Sequence, residues 1–127
     1  MRKYARRQSS SCLFTHVFVN CMHPIRTHTE CLSNPELRNK NLICVDWSKL
    51  ADLINYFAAA QHAVTAGVYV GQLFGQLLVK DLGVDPKDIH LIGHSLGAHF
   101  VGQLGRQLAI TGNRGKVARV TGECIRY

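Results

Sequence analysis

Polar Asn39-Lys40-Asn41 gives way to the apolar run Leu42-Ile43-Cys44-Val45, which ends at Asp46-Trp47-Ser48. A short uninterrupted run of this kind predicts a strand buried on both faces of a parallel sheet. From about Tyr56 to Leu82 the pattern changes. Ala60, Val64, Gly67, Gly71, Phe74, Leu78 and Leu82 recur every three or four residues, which is helical periodicity, and Gly83 is placed as a C-terminal stop. Val68-Tyr69-Val70 has strand propensity, but the segment is far too long for an ordinary strand. Asp85-Pro86-Lys87-Asp88 is turn chemistry, and Ile89-His90-Leu91-Ile92 is a second apolar run ending at Gly93. Gly97, Val101, Leu104 and Leu108 then step as a second helix, stopped by Gly112-Asn113-Arg114-Gly115 before a third strand, Val117-Ala118-Arg119-Val120. Strands alternating with helices predict parallel βαβ units with right-handed crossovers.

The first 31 residues follow no such pattern. A basic start (Arg2, Lys3, Arg6, Arg7) and Ser9-Ser10-Ser11 precede Cys12-Leu13-Phe14-Thr15-His16-Val17-Phe18-Val19. That outline resembles a signal peptide, but His16 and Asn20 spoil an apolar h-region, and the alternation equally fits a short strand. We therefore treat 1–31 as an undetermined segment, 32–122 as the patterned unit and 123–127 as a divergent end. The charged ends are expected to be dispensable for folding of the patterned unit. No stretch reaches the 18 or so apolar residues of a membrane span.

Composition narrows the class. The 127 residues are 46% hydrophobic, enough for a buried core in a single domain. The net charge of +7 raises nucleic acid as a partner, yet the excess sits at the two ends. Between 41 and 110, Lys49, Lys80, Lys87 and Arg106 face Asp46, Asp52, Asp81, Asp85 and Asp88, so no basic stripe follows a phosphate backbone. Nucleic acid is not the expected partner. The five cysteines form no C-x-x-C pair. Cys21-x-His23 is tighter than the usual zinc-ligand gap, so Cys21, His23, His28 and Cys31 are read as loop residues and no metal or cofactor is expected.

Gly93-His94-Ser95-Leu96-Gly97 matches G-x-S-x-G. The bare pattern is weakly specific, but here it falls between a predicted strand and a predicted helix, the context a nucleophile elbow requires. Small residues two before and two after the serine let the turn close. The helix that follows brings its positive N-terminal end, and the Leu96 backbone N–H can face the oxygen of a tetrahedral intermediate. The alternative is that Ser95 merely caps the helix.

Taken together, Leu91-Ile92-Gly93-His94-Ser95-Leu96-Gly97-Ala98-His99, Cys44-Val45-Asp46-Trp47 upstream and Arg119-Val120-Thr121-Gly122 downstream resemble the secreted animal lipases of the pancreatic-lipase type, which include lipoprotein lipases and venom phospholipases A1. The resemblance covers about Leu32 to Gly122. It implies an α/β-hydrolase-type parallel sheet with flanking helices, present only in its central part. It also implies a secreted protein acting on acylglycerol or phospholipid esters at a lipid–water interface, with Ser95 as nucleophile and Leu96 as backbone donor. His94 and His99 do not match the family base and are read as packing or hydrogen-bonded residues. Asp46 and Trp47 match a strand-end motif, for which a structural role is expected.

Three departures from the family pattern bear on activity. No His-Gly-aromatic tripeptide precedes the Cys-Val-Asp-Trp strand to supply the second oxyanion donor. Gly122 is followed by Glu123-Cys124 rather than Leu-Asp, so Cys124 stands where the family has the aspartate that orients the base, and Glu123 is one residue out of register with it. The histidine base, lid and C-terminal domain would lie beyond Tyr127. The chain by itself is thus expected to be inactive, and its alternative reading is a catalytically silent lipase-like fragment or a lipid- or membrane-surface binding protein.

Overall fold

The computed structural model describes residues 15–20, 40–51 and 55–123. Strands β1 (Thr15–Asn20), β2 (Asn41–Asp46), β3 (Ile89–His94) and β4 (Arg119–Glu123) form one sheet in the order β2-β1-β3-β4, with every neighbouring pair parallel. Helix α1 (Tyr56–Phe74) connects β2 to β3, and α2 (Leu96–Gly112) connects β3 to β4. Both crossovers step in the same direction along the sheet, and right-handed connections then place both helices on the same face.

The expected order of strands and helices is present, with three differences. First, the segment left undetermined at the N-terminus supplies β1, which lies between β2 and β3, with Val17 paired to Ile43 on one side and Leu91 on the other. Val17 is fully buried, so the expected dispensability of 1–31 does not extend to this strand. Second, the β2 and β3 runs are not buried evenly on both faces. Ile89, Leu91 and Gly93 are buried while His90, Ile92 and His94 are half-buried, because the helices cover one face and no described element covers the other. Third, α1 gives way to a π-helical turn at Gly75–Asp81 and ends at Leu82. Gly83 follows with φ +68°, the left-handed stop its position predicts.

The core lies between α2 and the sheet. Phe100, Val101, Leu104 and Leu108 of α2 are fully buried, with Ile89 and Leu91 below and Ala63, Val70 and Phe74 of α1 alongside. The helices approach each other very closely. A Cβ built on Gly67 would stand 2.5 Å from the Phe100 carbonyl oxygen, and one on Gly71 would stand 2.6 Å from that of Leu104. Bare backbone on this stripe of α1 lets α2 lie flat against it, and the ascending pairs show that the two helices run parallel. The described helices include none long and apolar enough to cross a membrane.

Candidate active site at the Ser95 elbow

The pivotal residue is Ser95, at φ 56° and ψ −123° between the end of β3 and the start of α2. A positive φ is costly for any residue with a Cβ, by roughly 1–3 kcal/mol, and it persists only where the surroundings fix it. Here the surroundings are β3, held between two parallel neighbours, and α2, anchored by its buried face. The Ser95 carbonyl accepts the Ala98 N–H at 2.9 Å, which starts the helix at once. The Ser95 side chain makes no capping hydrogen bond, so the helix-cap alternative does not describe it.

Gly93 explains the turn sterically. A Cβ there would meet the Gly97 carbonyl oxygen at 2.1 Å and a Val101 methyl at 2.8 Å. The strand end and the first helical turn therefore touch backbone to backbone, as the spacing of the two glycines around Ser95 anticipates. Gly97 and Leu96 are buried, and His94 and Ser95 are half-buried. Leu96 N–H belongs to the first turn of α2, whose amide groups have no acceptor within the helix. That end of the helix carries the positive pole of its dipole.

The strain at Ser95 has a measurable consequence. Ser95→Gly should raise unfolding free energy by about 1 kcal/mol, because glycine adopts positive φ without steric cost, whereas Ser95→Ala should not. Urea unfolding of the three proteins checks this, and equal midpoints would mean that the turn is relaxed.

The other residues singled out by sequence distribute around this centre. His99 is exposed on the helix, one turn beyond Ser95. In β4, Gly122 lies opposite Gly93 and Glu123 opposite His94, so β4 ends level with the elbow. Ala98 fills the space a Gly122 Cβ would need, its own Cβ 3.0 Å from that position. Asp46 Oδ1 accepts the Ser48 N–H at 2.9 Å, a local turn at the end of β2. Trp47 is buried and packs on Phe100 with ring centroids 5.6 Å apart, fixing the β2 end against α2. Its Nε1–H is buried and has no hydrogen-bond partner among the described residues. Cys21, His23, His28, Cys31 and Cys124 lie outside the described residues, and among those described no cluster of three or more His, Cys, Asp or Glu could hold a metal.

Sequence pattern gave no hint of one polar contact. His90 Nε2 and Thr121 Oγ1 lie 2.9 Å apart, joining β3 to β4 on the face away from the helices. Burial, with Arg119 and Lys40 nearby, holds the His90 pKa below its ordinary value. The partners are 31 residues apart, so only the strand register brings them together.

A parallel strand, a serine held at positive φ and a buried helix, in that order, form a strand–turn–helix serine elbow in an α/β protein. The sequence profile of the Lipase family matches residues 8–123, and the chain belongs to that family. It is 39% identical over 87 residues to pancreatic lipase-related protein 2 of Rattus norvegicus, covering 68% of this chain and 17% of that protein. Against pancreatic triacylglycerol lipase of Oryctolagus cuniculus it is 40% identical over 87 residues, with the same coverages of 68% and 17%. The match to the Equus caballus pancreatic triacylglycerol lipase runs longer, 34% over 107 residues, covering 84% of this chain and 22% of the relative. The chain thus spans about a fifth of the length of these relatives.

Proposed function

We propose that this chain carries the nucleophile elbow of a lipid carboxylic-ester hydrolase, of triacylglycerol-lipase or phospholipase A1 type, in a secreted protein. The observation that carries the reading is the backbone of Ser95, strained at φ 56° with its side chain left uncommitted at the head of a buried helix. In that role the Ser95 hydroxyl attacks the acyl carbonyl while its proton passes to a base, and the Leu96 N–H donates to the developing oxyanion. The C–O bond to the leaving alcohol then breaks, and water releases the acyl group from Ser95.

The same geometry supports the second half of the proposal: these 127 residues alone turn over ester substrates negligibly. The only histidine after Ser95 is His99, on the serine's own helix, where it projects with α2 rather than across the sheet end from which a base approaches. No aspartate follows Gly122, and no His-Gly-aromatic loop stands before β2. Loss of triad members costs several powers of ten in rate, leaving only the oxyanion donor and binding. The purified chain should therefore hydrolyse a short-chain nitrophenyl ester little above background, and Ser95→Ala should leave that rate unchanged. Robust, Ser95-dependent turnover would contradict the proposal of a chain silent on its own.

A further inference from the structure

Helix α1 begins with two large apolar residues in solvent. Asn55 caps the helix, its Oδ1 accepting the Ala58 N–H at 3.1 Å, and the first turn then presents Tyr56 at 61% exposure and Phe57 at 83%. Their rings meet edge to face at 6.3 Å and form one aromatic tip. Leu50, also exposed, is tied to the flank of this helix where His62 Nδ1 lies 2.9 Å from its carbonyl oxygen, and exposed Lys49 precedes it.

The placement of this tip gives it meaning. Gly67 of α1 is level with Phe100 of α2, and the helices run parallel. Phe57 lies ten residues before Gly67 and Ser95 five before Phe100. At about 1.5 Å per residue, the aromatic tip projects roughly 7 Å beyond Ser95 on the end of the sheet where the elbow opens. By the rise along the two helices, Tyr56 and Phe57 stand further out at that end than Ser95.

We infer that Tyr56 and Phe57, flanked by Leu50 and Lys49, form an anchor that inserts into a lipid surface and orients the Ser95 elbow toward it. An apolar ring pair at the very start of a capped helix can enter the headgroup region while the Tyr hydroxyl stays at its polar boundary. The first turn of α1 holds no acidic residue to oppose this, and exposed Lys49 favours a surface containing anionic lipid. The inference rests on the lipid-ester reading of the elbow, but it concerns adsorption rather than chemistry and can fail separately.

The test is co-sedimentation of the full chain with sucrose-loaded vesicles of phosphatidylcholine and phosphatidylserine. Wild type and Ser95→Ala should partition equally. The Tyr56→Ser/Phe57→Ser double variant should bind at least about tenfold more weakly. Tyr69→Ser, which removes an equally exposed aromatic about 18 Å further along the same helix, should bind like wild type. In a second measurement, Phe57→Trp should show a blue shift and quenching by brominated lipid, whereas Tyr69→Trp should show neither. Failure of wild type to partition would overturn the anchor, as would equal binding by the double variant or an equal loss in Tyr69→Ser. A change of oligomeric state on Tyr56/Phe57 substitution without vesicle binding would assign the tip to a second copy instead. Reaction of Ser95 with a soluble phosphonate is independent of all these outcomes, so it separates failure of the anchor from failure of the elbow.

Discussion

Gly93→Ala should destabilise the chain by about 3 kcal/mol or more, enough to remove a cooperative unfolding transition from a protein of ordinary stability. The added methyl would fall 2.1 Å from the Gly97 carbonyl oxygen and 2.8 Å from Val101. Neither contact is with the free end of a flexible side chain. Gly97 is held by a helix whose next turns are buried, and Gly93 by a strand with neighbours on both sides, so relief requires the elbow itself to open. Gly102→Ala is the matched control. Nothing stands within 4 Å of a Cβ there, so the substitution should stabilise slightly through helix propensity. Chemical denaturation of the two variants checks the pair, and a Gly93→Ala protein as stable as wild type would show that strand and helix do not touch at this point.

Deleting residues 1–20 should abolish the fold. Without β1, the β2 strand loses its only described neighbour, β3 loses one of two, and Val17 vanishes from the core. β1 supplies six residues of parallel pairing to β2 and five to β3, and a strand joined to α1 at the far side of the sheet does not replace them by moving inward. Far-UV circular dichroism of the deletion should show loss of cooperative melting. Retention of a native-like transition would mean that β1 is an addition to the sheet rather than its middle.

These two sites mark the boundary of what the sequence makes legible. The elbow is readable because all its parts are local: an apolar run, a small residue, a serine, a small residue and a helical repeat lie within about twenty positions. The α1 helix and its stop at Gly83 are readable for the same reason, although the π-helical turn is not, since Leu78 and Val79 continue an apolar pattern that either helix type satisfies. β1 is not readable as central. Its immediate neighbours in sequence are basic, hydroxyl-bearing and His-containing, and its place between β2 and β3 arises from pairing with residues far along the chain. The half-exposed alternation of β3 is hidden for a related reason: Ile92 looks buried in a continuous run, but burial of that face depends on which elements cover it. Trp47 was legible as structural, whereas its packing partner Phe100 and the His90–Thr121 contact depend on the tertiary arrangement.

Membership of the Lipase family rests on the profile match, whereas the proposed chemistry rests on Ser95. The most direct test of that assignment is covalent. Folded wild-type chain incubated with a small organophosphonate and digested for mass spectrometry should carry the adduct on Ser95, slowly because no base assists but selectively because the turn presents its hydroxyl beside the Leu96 N–H. The Ser95→Ala chain should remain unlabelled. Labelling of Ser48 or another serine in the folded protein, with Ser95 untouched, would contradict the assignment of Ser95 as the nucleophile.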